Sequence, residues 1–142
     1  MKKFSFPLES VLKYRRILQD QAEIELGRAM AAEHQIQVKL DGIALQYAGV
    51  KKQTAGSKDF TAISTANQFY ALLDMQKELL FKQMAEAKVV SEQKRKLLQD
   101  AMQKTQSLEK MRSRLSDEWK QAAAAEDEDS ADDVNNGRRF RR

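Results

Sequence analysis

The stretch that decides the fold is residues 8–50, which read LESVLKYRRILQDQAEIELGRAMAAEHQIQVKLDGIALQYAGV. Alternating steps of four and three residues, from Leu8 to Val50, reach thirteen positions, and ten of these are apolar. The exceptions are Arg15, Gln19 and Glu33. An apolar seam that keeps a 3.5-residue period over so many turns predicts a long helix in a left-handed coiled coil.

A second seam follows further along the chain. The same alternation from Phe69 to Leu115 reaches fourteen positions, ten of them apolar. Between the two seams lies VKKQTAGSKDFTA, in which Gly56 is the predicted reversal and Ser57 or Asp59 the predicted helix cap. Two long helices joined by a short loop pack antiparallel most economically, so the sequence predicts a helical hairpin.

The predicted fold class is therefore all-α, an antiparallel coiled-coil hairpin over residues 1–125. Helix 1 is expected at about 6–51, the loop at about 52–60 and a longer helix 2 at about 61–125. The charged residues 126–142 contain six acids and four arginines with few apolar side chains, so they are expected to form a disordered tail.

The expected register follows from placing the reversal at Gly56. That reversal pairs Phe4–Leu8 with Lys104–Leu108, and it leaves roughly 17 residues of helix 2 without an intramolecular partner. This overhang carries Met111, Leu115 and Trp119 on one face, which indicates either a fraying end or a segment that docks on another protein. If it docks, Trp119→Ala should weaken partner binding and leave the melting of the hairpin nearly unchanged.

A second apolar region begins helix 2. Leu72, Met75 and Leu79 form a stripe beside the seam, and two helices cannot cover so wide an apolar arc. Self-association, thick packing and a recognition surface for another protein are all compatible with this arc.

Composition excludes several classes of function. The 142 residues contain no Cys, which removes disulfides and thiolate metal sites, and no apolar run is long enough for a membrane span. The net charge of +4 is too small for a nucleic-acid footprint, and the expected localisation is cytoplasmic. His34 is the only histidine, and no phosphate-binding glycine motif is present, so we expect no enzyme, no cofactor and no small-molecule substrate.

Two segments carry a family resemblance. FSFPLESVLKYRRILQDQAEIELGRA at 4–29 and NQFYALLDMQKELL at 67–80 are similar to the flagellar FliJ family, over roughly residues 4–120. The resemblance implies a component of the flagellar type III export apparatus, peripherally associated with the inner membrane and needed for flagellum assembly and motility. It would act as a stalk that links the hexameric export ATPase to the cytoplasmic domain of the membrane export gate, and it would escort export chaperones.

The resemblance also implies two docking sites. The export-gate site would comprise Leu40, Ile43, Tyr47, Phe69, Leu73, Gln76 and Leu80. The ATPase-ring site would comprise Phe4, Phe6, Leu8, Leu12, Arg15, Leu108, Met111, Leu115 and Trp119. A stalk protein of a virulence-type secretion system and a generic coiled-coil scaffold remain as alternatives.

Overall fold

A computed structural model describes residues 2–140, with the side chain of residue 140 outside the description. It contains two long helices packed against each other, α1 (Glu9–Thr54) and α2 (Phe60–Phe140), and no strand occurs within that range. The predicted all-α hairpin is confirmed.

Helix α1 begins later than the sequence predicts because of Pro7. A proline disfavours helical geometry in the residue before it, so Phe6 cannot belong to the helix. Phe6 instead accepts a hydrogen bond from the Glu9 backbone amide at 3.1 Å, which forms a turn that leads into the helix. Residues 2–6 have no regular secondary structure.

The loop has the predicted chemistry. Gly56 adopts a φ of 73°, a backbone conformation that L side chains rarely tolerate, and so supplies the reversal. The Asp59 carboxylate accepts a hydrogen bond from the Thr61 amide at 3.1 Å. Asp59 therefore caps the start of α2, as predicted, and the helix begins at Phe60.

Residue contacts divide the chain into two compact units. The first unit joins the chain up to Asp20 with the chain from Gln99 onward, and its buried apolar residues are Phe6 and Leu12. The second unit is Gln21–Leu98. Its buried apolar residues are Ala29, Ile43, Ala66 and Leu73.

The seam on α1 follows the prediction closely. Of its thirteen positions only Leu8 and Tyr47 are exposed, at 37% and 39%. Arg15, Gln19 and Glu33 are half-buried, so the three polar exceptions also point towards the interface. The 3.5-residue repeat therefore identifies the inner face of α1 correctly.

The seam on α2 differs from the prediction at every second position. Six positions that were expected inside are exposed: Gln76, Gln83, Val90, Leu97, Lys104 and Met111. Met84, Ser91, Leu98 and Thr105 take the places of the middle four and are buried or half-buried. Between Leu80 and Leu108 the buried positions follow one another in steps of four and then three residues, whereas the prediction had three and then four. A count of apolar residues could not detect this difference, because two of the buried residues carry hydroxyl groups.

The hydroxyl groups of the α2 seam are satisfied within the helix. Thr105 donates to the Ala101 carbonyl oxygen at 2.9 Å, and Ser91 lies 3.1 Å from the Lys88 carbonyl oxygen. Ser91 also hydrogen-bonds the Glu33 carboxylate of α1. Because each hydroxyl has a partner, burying it costs little, and a polar residue can occupy a seam position.

The predicted register is wrong in both units. In the second unit the Tyr47 ring stacks on the Tyr70 ring, which lies five residues beyond the partner expected for Tyr47. In the first unit Glu9 pairs with Arg112, which lies nine residues beyond the partner expected for Glu9. Helical side chains lean towards the N-terminus of their own helix. In an antiparallel pair this lean displaces every contact in the same direction, and long side chains displace it most.

Helix α2 continues past its predicted end near residue 125. It runs to Phe140, and all side chains between residues 124 and 139 are exposed. The segment that was expected to be disordered is therefore helical as far as the description reaches. Four consecutive alanines, Ala122–Ala125, are strong helix formers, and no proline follows them to stop the helix.

Candidate functional site

The predicted export-gate residues all lie in the second unit, but they differ greatly in accessibility. Ile43 and Leu73 are buried, Leu40, Phe69 and Leu80 are half-buried, and Tyr47 and Gln76 are exposed. A partner protein therefore cannot reach Leu73 while the two helices remain packed, and Ile43 offers it only a small accessible area.

Two grooves lie on opposite sides of Ile43. The first runs between Lys39 and Gln46 on α1 and Gln76 and Gln83 on α2. The second is lined by Leu40 and Tyr47 among others, with Asp74 and Lys77 opposite them. Both grooves have apolar floors and charged or amide rims, which suits a protein segment better than a small polar ligand.

The accessible apolar area of this region comes from residues beside the predicted set. Leu72, Met75 and Leu79 are 50%, 70% and 57% exposed. This confirms that two helices leave part of the apolar arc uncovered. We call these three residues the α2 apolar stripe; Leu79 also lines the first groove.

An aromatic pair stiffens the same region. The Tyr47 and Tyr70 rings have centroids 4.3 Å apart and an interplanar angle of 31°. The sequence analysis placed Tyr47 in the seam but gave it no partner, because the predicted register was displaced. Such a stack fixes the local alignment of α1 and α2 beside the grooves.

The predicted ATPase-ring residues all lie in the first unit. Phe6 and Leu12 are buried, Phe4, Arg15, Leu108, Leu115 and Trp119 are half-buried, and Leu8 and Met111 are each 37% exposed. The structure therefore brings the predicted residues near the N-terminus and those on α2 together in the same unit.

Part of the expected overhang of helix 2 packs against the segment before α1. Phe4 packs on Trp119 with ring centroids 6.2 Å apart, and the Arg112 guanidinium lies 5.8 Å from the Phe4 ring centroid. The non-helical residues before α1 make this possible, since an extended residue spans about 3.3 Å and a helical one about 1.5 Å. We call Phe4 and Trp119, together with Arg112 beside the Phe4 ring, the aromatic cluster.

Ion pairs attach α1 to α2 beside the aromatic cluster. Arg112 Nε donates to Glu9 Oε2 at 2.8 Å, and Arg16 Nε donates to Glu109 Oε1 at 3.4 Å. The hydrogen bond from Arg112 is the main reason that the pKa of Glu9 lies below its ordinary value, with smaller contributions from the charges of Arg112, Lys13 and Arg16.

The lowered Glu9 pKa predicts a pH-dependent stability. Because the carboxylate titrates lower in the folded chain than in the unfolded one, the contact stabilises the fold fully above about pH 4.3 and less as the pH falls through the lowered pKa. Glu9→Gln should therefore be less stable than the native chain at pH 7 and equally stable at pH 2, measured by urea denaturation. Glu23→Gln, at an exposed position on the same helix, is the matched control and should leave the stability at pH 7 nearly unchanged.

The structure adds no argument for catalysis. His34 is exposed on α1, and no group of metal-binding side chains occurs within the described part of the chain. Between residues 2 and 140, neither helix is apolar enough over a sufficient length to span a membrane.

A comparison with known protein families identifies the family of this chain. The model of the family described as flagellar FliJ protein matches residues 4–142, which includes the charged C-terminal segment that the sequence resemblance had left out. No curated protein and no solved structure matches the chain. Since the family match covers nearly every residue, the chain belongs to the flagellar FliJ protein family.

Proposed function

We propose that this flagellar export component couples the hexameric export ATPase to the cytoplasmic domain of the membrane export gate, and that it also escorts export chaperones. The observation that carries the proposal is the presence of two unlike accessible surfaces, one in each unit. The α2 apolar stripe lies in the second unit and the aromatic cluster in the first. A coupling protein needs two surfaces that bind different partners.

The gate-binding part of the proposal rests on the α2 apolar stripe and the grooves beside it. Exposed apolar side chains on a helix are recognised by burial in a partner, and charged rims such as Asp74 and Lys77 orient that partner. The predicted residues Ile43 and Leu73 would support gate binding indirectly, because their packing holds the two helices at the spacing that forms the grooves.

The ATPase-binding part rests on the aromatic cluster and its surroundings. Leu8 and Met111 are partly exposed beside it, and Arg15 is half-buried nearby in the chain. Apolar contacts surrounded by guanidinium groups are common in protein interfaces, where arginine supplies several hydrogen-bond donors from one side chain.

Separate loss of the two activities tests the proposal. Met75→Ser with Leu79→Ser should weaken binding to the purified gate domain by about tenfold or more, because it removes accessible apolar contacts, and should preserve stimulation of the ATPase. Leu8→Ser with Met111→Ser should reduce ATPase stimulation and preserve gate binding. Calorimetry and steady-state phosphate release measure the two effects.

A matched control accompanies these variants. Val89→Ser with Val90→Ser removes apolar side chains that are 58% and 44% exposed in the same unit but outside the α2 apolar stripe, so both activities should persist. Circular dichroism must show unchanged helix content in every variant. If each pair of substitutions abolished both activities in a folded protein, the two surfaces would not be separate and the coupling proposal would be wrong.

A further inference from the structure

The loop end of the second unit carries an exposed aromatic residue that neither proposed docking surface uses. Phe60, the first residue of α2, is 82% exposed, the highest value for any large apolar side chain in residues 2–139. Helical side chains lean towards the N-terminus of their own helix, and α2 begins at the loop. Phe60 therefore leans towards the loop end and away from the rest of α2.

Lysines surround this aromatic residue. Only four charged residues lie between positions 41 and 74: Lys51, Lys52, Lys58 and Asp59. The three lysines are exposed, and the Asp59 carboxylate already accepts the hydrogen bond from the Thr61 amide. Three positive charges less one negative charge give the loop end a net charge of +2. We call Lys52, Lys58 and Phe60 the loop-end patch; Lys51 stands apart because it also lines the second groove.

The small size of the loop end favours a lipid surface over a protein partner. Two helices side by side, each about 10 Å across, present an end of roughly 200 Å². A stable protein interface buries about 800 Å² on each partner and needs a complementary shape. A bilayer needs neither, because its interface takes up a single aromatic side chain while neighbouring lysines keep their charged groups in water.

The charge of the patch selects the kind of lipid. Each lysine near an anionic leaflet strengthens binding by about fivefold, whereas headgroups without net charge give no such attraction. The single acid of the loop end is part of the α2 cap, so it adds little repulsion beyond its one charge. The patch therefore suits phospholipids whose headgroups carry a net negative charge.

We propose that the loop-end patch contacts anionic phospholipids, with Phe60 inserted at the level of the headgroups and Lys52 and Lys58 close to the lipid phosphates. One aromatic side chain and a few lysines give reversible binding and not a permanent anchor. The contact is independent of gate binding, since the patch lies outside the α2 apolar stripe and both grooves beside it.

Sedimentation of the full chain with sucrose-loaded vesicles at millimolar lipid tests the contact. Vesicles with about one-third phosphatidylglycerol should bind the native chain about tenfold or more better than vesicles of phosphatidylcholine alone. Added salt should reduce this binding, because it screens charges that water can reach. Equal binding to the two kinds of vesicle, or binding to neither, would overturn the proposal.

A pair of charge-removing variants locates the contact. Lys52→Gln with Lys58→Gln should weaken binding to the anionic vesicles by about tenfold or more. Lys82→Gln with Lys96→Gln makes the same change of charge at exposed positions further along α2, and should change binding by less than about twofold. Equal losses in the two variants would mean that the positive chain as a whole is attracted, and the assignment to the loop end would be wrong.

A tryptophan at position 60 reports insertion. Trp119 is the only tryptophan, so Phe60→Trp in a Trp119→Phe background gives a single probe. Its emission should move to shorter wavelength on anionic vesicles and be quenched by brominated lipids. Phe81→Trp in the same background is the control, because Phe81 is 51% exposed away from the loop and should stay unquenched. A probe at position 60 that stays unquenched on bound vesicles would show that Phe60 remains in water, which contradicts insertion.

The same lysine variant distinguishes a lipid from an acidic protein. Lys52→Gln with Lys58→Gln should leave the affinity for the purified gate domain unchanged, since both lysines lie outside the surface proposed for the gate. If the variant bound anionic vesicles as well as the native chain does and bound the gate domain less tightly, the patch would recognise an acidic protein surface. The lipid proposal would then be wrong, and the coupling proposal would stand.

Discussion

Leu73→Ala is expected to lower the free energy of unfolding by about 2–4 kcal/mol. Leu73 is 1% exposed and is one of two large side chains that the described residues bury completely. A hairpin has only one interhelical seam, so no third element can move in to fill the cavity that the substitution leaves. Urea denaturation followed by circular dichroism at 222 nm measures the change.

Leu79→Ala is the matched control for Leu73. Leu79 is 57% exposed on the same helix, six residues further along, and its truncation should change stability by less than about 0.5 kcal/mol. Binding to the gate domain should respond in the opposite order, with Leu79→Ala the more damaging in a folded protein. Equal loss of stability in the two variants would mean that Leu73 does not hold the seam.

The contrast between these leucines marks how far the sequence predicts the candidate site. Heptad counting identifies both residues as apolar and near the loop, and it predicts correctly that the arc is too wide for two helices. It also separates these two leucines correctly, since Leu73 lies on the predicted seam and Leu79 on the stripe beside it. It fails beyond Leu80, where buried seam positions include Ser91 and Thr105, whose hydroxyl side chains hydropathy treats as surface residues.

The error in the predicted register has a different physical cause. Gly56 and Asp59 locate the reversal correctly, but the interhelical contacts also depend on the direction in which side chains lean. This lean makes Arg112 the partner of Glu9, in place of a residue nearer the loop. The segment before α1 adds a second effect, because Pro7 keeps it out of the helix. In extended form it reaches Trp119, which helical spacing placed beyond the end of helix 1. Long-range contacts of this kind leave no periodic trace in the sequence.

The contact between Phe4 and Trp119 changes the interpretation of the C-terminal half of α2. A free overhang would order only when a partner binds. The aromatic cluster instead presents a surface that is already formed, with Arg112 fixed between Glu9 and the Phe4 ring. Pre-formed groups lose less conformational entropy on binding, so affinity for the ATPase ring would depend on the packing of the first unit itself.

Trp119→Ala should therefore lower the free energy of unfolding by about 1–3 kcal/mol, in contrast to the unchanged melting expected for a free overhang. Trp119 is half-buried and contacts the Phe4 ring, so its truncation exposes apolar area on both residues. Binding to the export ATPase should weaken as well. Phe81→Ala is the control, because Phe81 is a 51% exposed aromatic residue of the second unit.

A double-mutant cycle with Phe4 isolates the contact. If the two rings stabilise each other, Phe4→Ala and Trp119→Ala should cost less in combination than the sum of their separate effects, by about 0.5–1.5 kcal/mol. Denaturation gives this coupling for folding, and titration with the ATPase gives it for binding. Additive effects on stability would mean that Phe4 does not pack on Trp119 in solution. The C-terminal part of α2 would then be a free overhang that becomes ordered only when the ATPase binds.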